Sequence, residues 1–315
     1  MTLRLGIIMD PIERIKIAKD SSFAMMLAAQ KRGWALHYMN QHQLYSDGGS
    51  TRASTRLLQV QDDPKSWFNV LSEQDIALAE LDAILMRKDP PLDIEYITTT
   101  WLLDSVERSG TLVVNKPASL RDANEKLFIT LFPQCCVPVL VSSDTTRIRQ
   151  FVAEHEDVIL KPLDSMGGYS IFRVQPGSQN VSVILELMTH GGDKTIMAQR
   201  YIPEISQGDK RILLIDGEPV PYALARIPAA GETRGNLVAG ASGVGVTLTD
   251  RDRWICAQVS PILRKMGILF AGLDVIGDYL TEINITSPTC IRELDQQYRL
   301  DIAGQLMECI ESRLH

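Results

Sequence analysis

No apolar run in this 315-residue chain approaches the roughly 20 residues needed to span a bilayer. The amino terminus lacks a signal peptide's longer apolar region and small-residue cleavage site. Leu3 to Met9 runs straight into Asp10-Pro11 and reads as a buried strand entering a turn. Cysteine is sparse. The five residues Cys135, Cys136, Cys256, Cys290 and Cys309 form no C-x-x-C pair and have no companion His cluster. A disulfide framework and a zinc site are therefore not indicated, and a reducing cytoplasm is expected. A basic excess is missing too. The net charge of -7 argues against a nucleic-acid binder. Internal repeats and low-complexity tracts are absent.

What remains is ordinary soluble globular composition, 45% hydrophobic and 23% charged, in a chain long enough for two or three domains. The first 120 residues alternate strand and helix signals. Strands are expected at Leu3 to Met9, Ala35 to Met39, Ala83 to Met86 and Thr111 to Val114, and helices at Ser21 to Lys31 and Ile94 to Arg108. That rhythm predicts a mostly parallel sheet covered by helices, with ligands beyond the strands' carboxyl ends. A change of style at Asn115-Lys116-Pro117 precedes a compact α+β stretch. Its expected helices are Asp122 to Leu131, Thr145 to His155 and Val181 to Thr189, and its strands lie around Val139 and at Val158 to Lys161, Ile171 to Val174 and Thr195 to Gln199. Two strand-like runs, Arg211 to Ile215 and Val220 to Ile227, then lead to a helix at Asp250 to Lys265. A hairpin and a final amphipathic helix, Leu300 to Leu314, follow.

That hairpin is the most informative segment. Gly272-Leu273-Asp274-Val275-Ile276 and Leu280-Thr281-Glu282-Ile283-Asn284 flank the turn-like Gly277-Asp278. Glu282 and Asn284 alternate onto one face, and Asp274 stands on the partner strand within reach. Two carboxylates and an amide are oxygen ligands suited to Mg²⁺. Taken alone, Glu-x-Asn is more often the solvent face of an ordinary strand. Lys161-Pro162-Leu163-Asp164-Ser165-Met166-Gly167-Gly168 ends a strand in paired glycines, whose backbone N–H groups can cradle phosphate beside the Lys161 charge. It matches neither a P-loop nor a dinucleotide fingerprint. Lys126 is a surface lysine unless it points into the same cleft. Asp209-Lys210-Arg211 is most often a solvated charge run. Gln199-Arg200-Tyr201-Ile202-Pro203 reads as a linker. From Arg226 to Gly245 the chain is Gly-rich without a clear element, which suits either a lid or a surface loop. Cys290 reads as a buried structural thiol.

Ordered blocks along nearly the whole chain resemble bacterial glutathione synthetase, of the ATP-grasp superfamily. They include Gly6-Ile7-Ile8-Met9-Asp10-Pro11, Lys19-Asp20-Ser21-Ser22-Phe23, Met86-Arg87-Lys88-Asp89-Pro90-Pro91, and Asn124-Glu125-Lys126-Leu127. Ile159-Leu160-Lys161-Pro162, Gly208-Asp209-Lys210-Arg211, Gly231-Glu232-Thr233-Arg234-Gly235-Asn236 and Leu280-Thr281-Glu282-Ile283-Asn284-Ile285-Thr286-Ser287-Pro288 complete the set.

The resemblance implies an α/β (α+β ATP-grasp) fold in three parts. These are a substrate-binding domain over 1–121, a central lid subdomain over 122–203 and a mixed-sheet catalytic subdomain over 204–315. It implies ATP-driven ligation of γ-glutamylcysteine to glycine through an acyl phosphate, in a cytoplasmic homotetramer binding neither nucleic acid nor membrane. The cofactors would be ATP and Mg²⁺, or Mn²⁺ in its place. Lys126, Lys161, Gly167, Gly168 and Asp209 would serve the nucleotide phosphates, and Gln199, Arg200, Tyr201 and Ile202 the adenine. Asp274, Glu282 and Asn284 would hold metal. Arg211, Arg226, Arg234 and Asn236 would act on the reacting groups, with Asp20 to Ser22 and Arg87 helping to hold the dipeptide. Another ATP-grasp carboxylate–amine ligase with a different substrate pair is the alternative. The chain departs from the family pattern at Ser165, where Gly is frequent, at the bulky Tyr169, and at Val244, where an arginine is frequent.

Overall fold

The computed structural model describes residues 2–165, 167–229 and 242–314. Three sheets carry the architecture. In the first, strands β1 (Arg4–Ile8), β2 (Ala35–Met39), β6 (Ala83–Met86) and β7 (Leu112–Val114) pair in parallel in the order β2-β1-β6-β7. Helices α1 (Ser21–Lys31) and α2 (Ile94–Arg108) begin at Asp20 and Asp93, whose carboxylates accept the third helical N–H at 2.7 and 2.9 Å. Residues 44–77, which carry no clear sequence signal, form β3 (Leu44–Asp47), β4 (Ser50–Val60) and β5 (Phe68–Ala77), added antiparallel at the sheet edge. The inward positions of β4 include Thr51 and Thr55, so its pattern reads as polar although these side chains are buried. The sheet is thus parallel only across its β2-to-β7 half.

The expected helix at Asp122 to Leu131 does not form. Helix α3 (Pro117–Asp122) stops, and the Asn124 side chain accepts from the N–H groups of Lys126 and Leu127 at 3.1 and 3.0 Å. A local side-chain bond of this kind competes with helix continuation, and a short 3-10 turn over Leu127–Leu131 follows. The second sheet, in the order β10-β9-β11-β8, comprises β8 (Val139–Ser142), β9 (Val158–Pro162), β10 (Phe172–Val174) and β11 (Ile196–Arg200). With α4 (Thr145–His155) and α5 (Val181–Thr189) it encloses its own core around Ile148, Leu160, Leu185 and Ile196.

The third sheet, in the order β14-β13-β12-β15-β16, is formed by β12 (Asp209–Ile215), β13 (Glu218–Ile227), β14 (Ser242–Thr247), β15 (Phe270–Ile276) and β16 (Tyr279–Asn284). A mixed sheet was expected, yet every pairing here is antiparallel, because sequence neighbours return on themselves as hairpins. Helix α6 (Asp250–Lys265) follows. The chain end holds two helices rather than one, α7 (Ile291–Tyr298) and α8 (Ile302–Leu314). They are separated at Arg299, whose φ of 53° is left-handed, and the Asp301 carboxylate caps α8 at the Gly304 N–H.

Asn115 ties the first sheet to the third. It is 3% exposed. Its Oδ1 accepts from the N–H groups of Leu269 and Phe270 at 2.8 and 2.9 Å, and its Nδ2 donates to the carbonyls of Phe270 and Ile285 at 2.7 Å each. One amide therefore satisfies four backbone groups at the start of β15 and just after β16. Asn115→Leu fills the volume but leaves them unpaired. Denaturant unfolding should register a loss of at least about 3 kcal/mol, each orphaned group costing about 1–3. A loss below about 1 kcal/mol would show that these groups find other partners.

Candidate active site

The central feature is a row of charges that alternates across the third sheet. Cross-strand register sets Arg226 of β13 opposite Asp209 of β12, and Arg211 of β12 opposite Asp274 of β15. Asp209 and Arg211 are two apart on one strand and share a face. Arg211 grips Asp274 with both arms, Nε to Oδ1 at 2.5 Å and Nη2 to Oδ2 at 3.0 Å. Arg226 Nη2 reaches Asp209 Oδ2 at 2.5 Å and Asp274 Oδ2 at 2.9 Å. All four residues are under 9% exposed, so Asp209-Lys210-Arg211 is not the solvated charge run its composition suggests. Gly272 makes the arrangement possible. A Cβ there would stand 2.8 Å from the Arg211 side chain and 3.0 Å from Pro288.

Burial raises the Asp274 carboxyl, but the two guanidiniums outweigh it and hold the group far below the usual carboxylate range. Asp209 goes the other way. Burial, reinforced by the charges of Asp274 and Glu282, lifts it to about 6 despite the Arg226 contact, and its Oδ1 has no hydrogen-bond partner among the described residues.

The β15–β16 hairpin turns at Gly277, whose φ is +55°. Glu282 pairs directly with Asp274, and Asn284 Nδ2 donates to Asp274 Oδ2 at 3.2 Å. The three oxygen-bearing side chains are brought together by a register shift between Asp274 and Val275, without which the two-residue turn would set Asp274 opposite Thr281. Lys126 and Lys161 approach Glu282 from the other side, at 3.9 and 4.0 Å. Lys126 is no surface lysine. It is 3% exposed and donates to the Ser165 carbonyl at 2.5 Å. Burial depresses the Lys161 ammonium, and the Lys126 charge adds to this against the pull of Glu282.

These groups line one cavity of about 300 Å³ between the second and third sheets. Its walls include Gly167 and Gly168, both at positive φ that a side chain would strain. Gln199, Arg200, Tyr201 and Ile202 form another wall with Ile159 and Ile276. Gln199 is 3% exposed, and its Nε2 has no partner among the described residues, a donor directed at a buried surface. Arg234 and Asn236 lie outside the described residues.

Arg87 and Asp20 to Ser22 do not line this cavity. Arg87 donates to Ser22 Oγ at 3.0 Å and to the Pro288 carbonyl at 2.9 Å, and Ser21 Oγ accepts from the Ile291 N–H. They support the Ser287-Pro288-Thr289 wall from behind. Cys290, fully buried there, has its thiol pushed up by burial and is no nucleophile. Tyr169 is 74% exposed and does not line the cavity. Sequence reasoning missed Glu125. Its carbonyl accepts from the Ile283 N–H at 2.9 Å, its carboxylate from Thr286 Oγ1 at 3.1 Å, and burial with the Glu282 charge raises it. Its place beside Lys126 was the available signal.

Among the described residues no three His, Cys, Asp or Glu side chains assemble as a metal site. The donor set is two carboxylates and an amide, all oxygen, with an unpartnered Asp209 oxygen nearby. That fits a hard divalent cation completed by phosphate oxygens.

Two family models match, one described as "Prokaryotic glutathione synthetase, N-terminal domain" over residues 3–121 and one as "Prokaryotic glutathione synthetase, ATP-grasp domain" over 125–299. The glutathione synthetase of Pseudomonas putida is 62% identical over 314 residues, covering 100% of this chain and 99% of the relative. That of Vibrio vulnificus strain YJ016 is 56% identical over 314 residues, with the same coverage. Among solved structures, D-cycloserine synthetase DcsG superposes with a TM-score of 0.69 at 14% identity, covering 99% of this chain and 100% of that one. The ATP-grasp ligase PsnB, complexed with minimal precursor, Mg and ADP, superposes with a TM-score of 0.62 at 14% identity, covering 98% of each. The α/β ATP-grasp fold is the one expected.

Removing one arginine from the buried row tests its cohesion. Arg226→Met should cost about 3–5 kcal/mol in denaturant unfolding, because two carboxylates are left with one partner. Adding Asp209→Leu should recover most of it; a double variant no more stable than the single one would refute the coupling.

Proposed function

The chain belongs to the prokaryotic glutathione synthetase family, and on that premise we propose how its residues perform ATP-dependent ligation of γ-glutamylcysteine to glycine. The observation that carries the proposal is the meeting, in one cavity, of the Gln199–Ile202 wall with Ile159 and Ile276, two buried lysines, a glycine pair and the arginine–carboxylate row. Adenine packs between Ile159, Ile276 and the Gln199–Ile202 wall, with the unpartnered Gln199 amide available to its edge. Lys126 and Lys161 hold the phosphates with the backbone around Gly167 and Gly168. Asp274, Glu282 and Asn284 hold Mg²⁺, which supplies charge neutralisation and Lewis acidity at the phosphates. Glu282 is the freest of the three, paired only at 3.9 Å and beyond.

The peptide carboxylate attacks the γ-phosphorus of ATP, the bond to ADP breaks, and an acyl phosphate forms. Glycine's amine then adds to the acyl carbon, the tetrahedral adduct collapses, and inorganic phosphate leaves as the amide forms. Arg211 and Arg226 face this centre with charges already fixed in place, so little reorganisation accompanies the transfer. The family resemblance assigns Arg234 and Asn236 to the reacting groups as well, and Asp209 to the nucleotide. No covalent intermediate on the protein is required. From the family resemblance we further propose the three-part division 1–121, 122–203 and 204–315, a cytoplasmic homotetramer, and Mn²⁺ as a substitute metal.

The decisive assay follows ADP release with Mg-ATP and γ-glutamylcysteine, with and without glycine. Release should depend on glycine and match glutathione formed. Glu282→Ala should lower kcat by at least about a hundredfold at an unchanged melting temperature. Near-normal turnover in that variant would overturn the metal assignment, and release with a different amine alone would overturn the substrate.

A further inference from the structure

One residue bound to the nucleotide wall lies outside the cavity. Arg173, on β10, is set opposite Ile159 of β9. Its guanidinium stands over the Tyr201 ring, 3.7 Å from the centroid. The same fork holds Asp157, Nε to Oδ1 at 2.8 Å and Nη2 to Oδ2 at 2.5 Å. Asp157 in turn accepts the Tyr201 N–H on its backbone carbonyl at 2.8 Å, and Gln175 Nε2 braces its carboxylate at 3.2 Å. Arg173 therefore fastens Tyr201 twice, through its ring directly and through its main chain by way of Asp157. Tyr201 is the first residue after β11, where the chain leaves the second sheet for the third.

We propose that Arg173 is a positioning residue for purine recognition, fixing the Gln199–Ile202 wall from behind so that it accepts adenine and discriminates against guanine. The inference rests on the reading of that wall as adenine-facing. The physical reason is that base edges differ only in where donors and acceptors lie. A wall held to within about 0.5 Å leaves the wrong base's groups unpaired, whereas a loosened wall adjusts to either. Arg173 suits this task because its planar fork engages carboxylate and ring together. Its side chain is 38% exposed, so removing it opens no core cavity.

The test is calorimetric binding of the non-hydrolysable analogues of ATP and GTP, AMP-PNP and GMP-PNP, to the full chain with Mg²⁺, for wild type, Arg173→Ala and Arg173→Lys. Arg173→Ala should weaken AMP-PNP about fivefold and GMP-PNP less than twofold, narrowing the ratio. The KM for glycine should stay within twofold. Arg173→Lys keeps a cation near the ring but loses the fork, and should recover part of the ratio. Equal weakening of both nucleotides, or an unchanged ratio, overturns the proposal while leaving glutathione formation intact. A wild-type protein that makes glutathione but binds both analogues equally overturns the adenine wall and the role of Arg173 together. Absence of glutathione formation, with the ratio narrowed as stated, overturns the substrate assignment alone.

Discussion

Two arginines and two aspartates buried on adjacent strands are the constraint on which the site depends. Buried charges are expensive, and a buried ion pair repays its desolvation only when geometry and remaining hydrogen bonds are good. Here antiparallel register supplies the geometry. Arg226 faces Asp209, Arg211 faces Asp274, and the fork of Arg211 closes on Asp274 in two bonds. The compensation is incomplete at Asp209, a residue of the cavity lining whose buried Oδ1 has no partner among the described residues. A surface that charged would be poor ground for stability alone. As a place where phosphate and carboxylate charge must be received, it is already polarised before substrate arrives.

The same logic explains why residues far from the cavity are so heavily tied down. The hairpin bearing Asp274, Glu282 and Asn284 is held at its base by Asn115 and along its outer edge by the Glu125 carbonyl, which takes the Ile283 N–H. The facing wall of Ser287 to Thr289 is held by Arg87 through the Pro288 carbonyl. The first sheet thus contributes supports rather than cavity walls, apart from the Asp89-Pro90 loop. The lysines come from elsewhere. Lys161 is on β9, whose sheet has its own core around Ile148, Leu160 and Leu185, whereas Lys126 precedes Phe128 and Ile129, which share the core of the β15–β16 hairpin. The two lysines thus reach Glu282 from different packed cores.

Much of this was legible in the chain. The hairpin, the parallel strands and most helices follow from hydrophobic period and caps, because both are local properties of the sequence. The Asp274–Glu282 pairing was only half readable: a two-residue turn sets Val275 opposite Leu280 and would put Asp274 opposite Thr281, but a register shift between Asp274 and Val275 brings Asp274 opposite Glu282 instead. Burial was not readable. Lys126 and Asp209-Lys210-Arg211 look like solvated charge because composition says nothing about which residue pairs across a sheet. Residues 44–77 were silent for a related reason, since the inward side chains of β4 include threonines. The helix expected at Asp122 to Leu131 failed to one side chain, Asn124, that offered the backbone a competing bond. Arg87 was read as helping to hold the dipeptide from the company it keeps in sequence; that it also holds Ser22 and the Pro288 carbonyl was not readable, because those partners lie 65 and 201 residues away.

The cysteines complete the physical picture. An enzyme whose substrate and product both carry a thiol works where thiol–disulfide exchange is a constant hazard. Exchange requires an accessible thiolate. Burial pushes Cys136 and Cys256 up to about 12 and raises Cys135, Cys290 and Cys309 as well. Three of the five are fully enclosed. Cys290 is the telling case, since it lies directly behind the cavity wall and close to two arginines that favour its thiolate, yet burial prevails. Burial therefore favours the neutral thiol at all five cysteines, and Cys135, Cys256 and Cys290 are enclosed as well, in a protein whose substrate sulfur must remain a spectator. Strand register sets the arginine–aspartate row, and the packing around it sets the sulfurs.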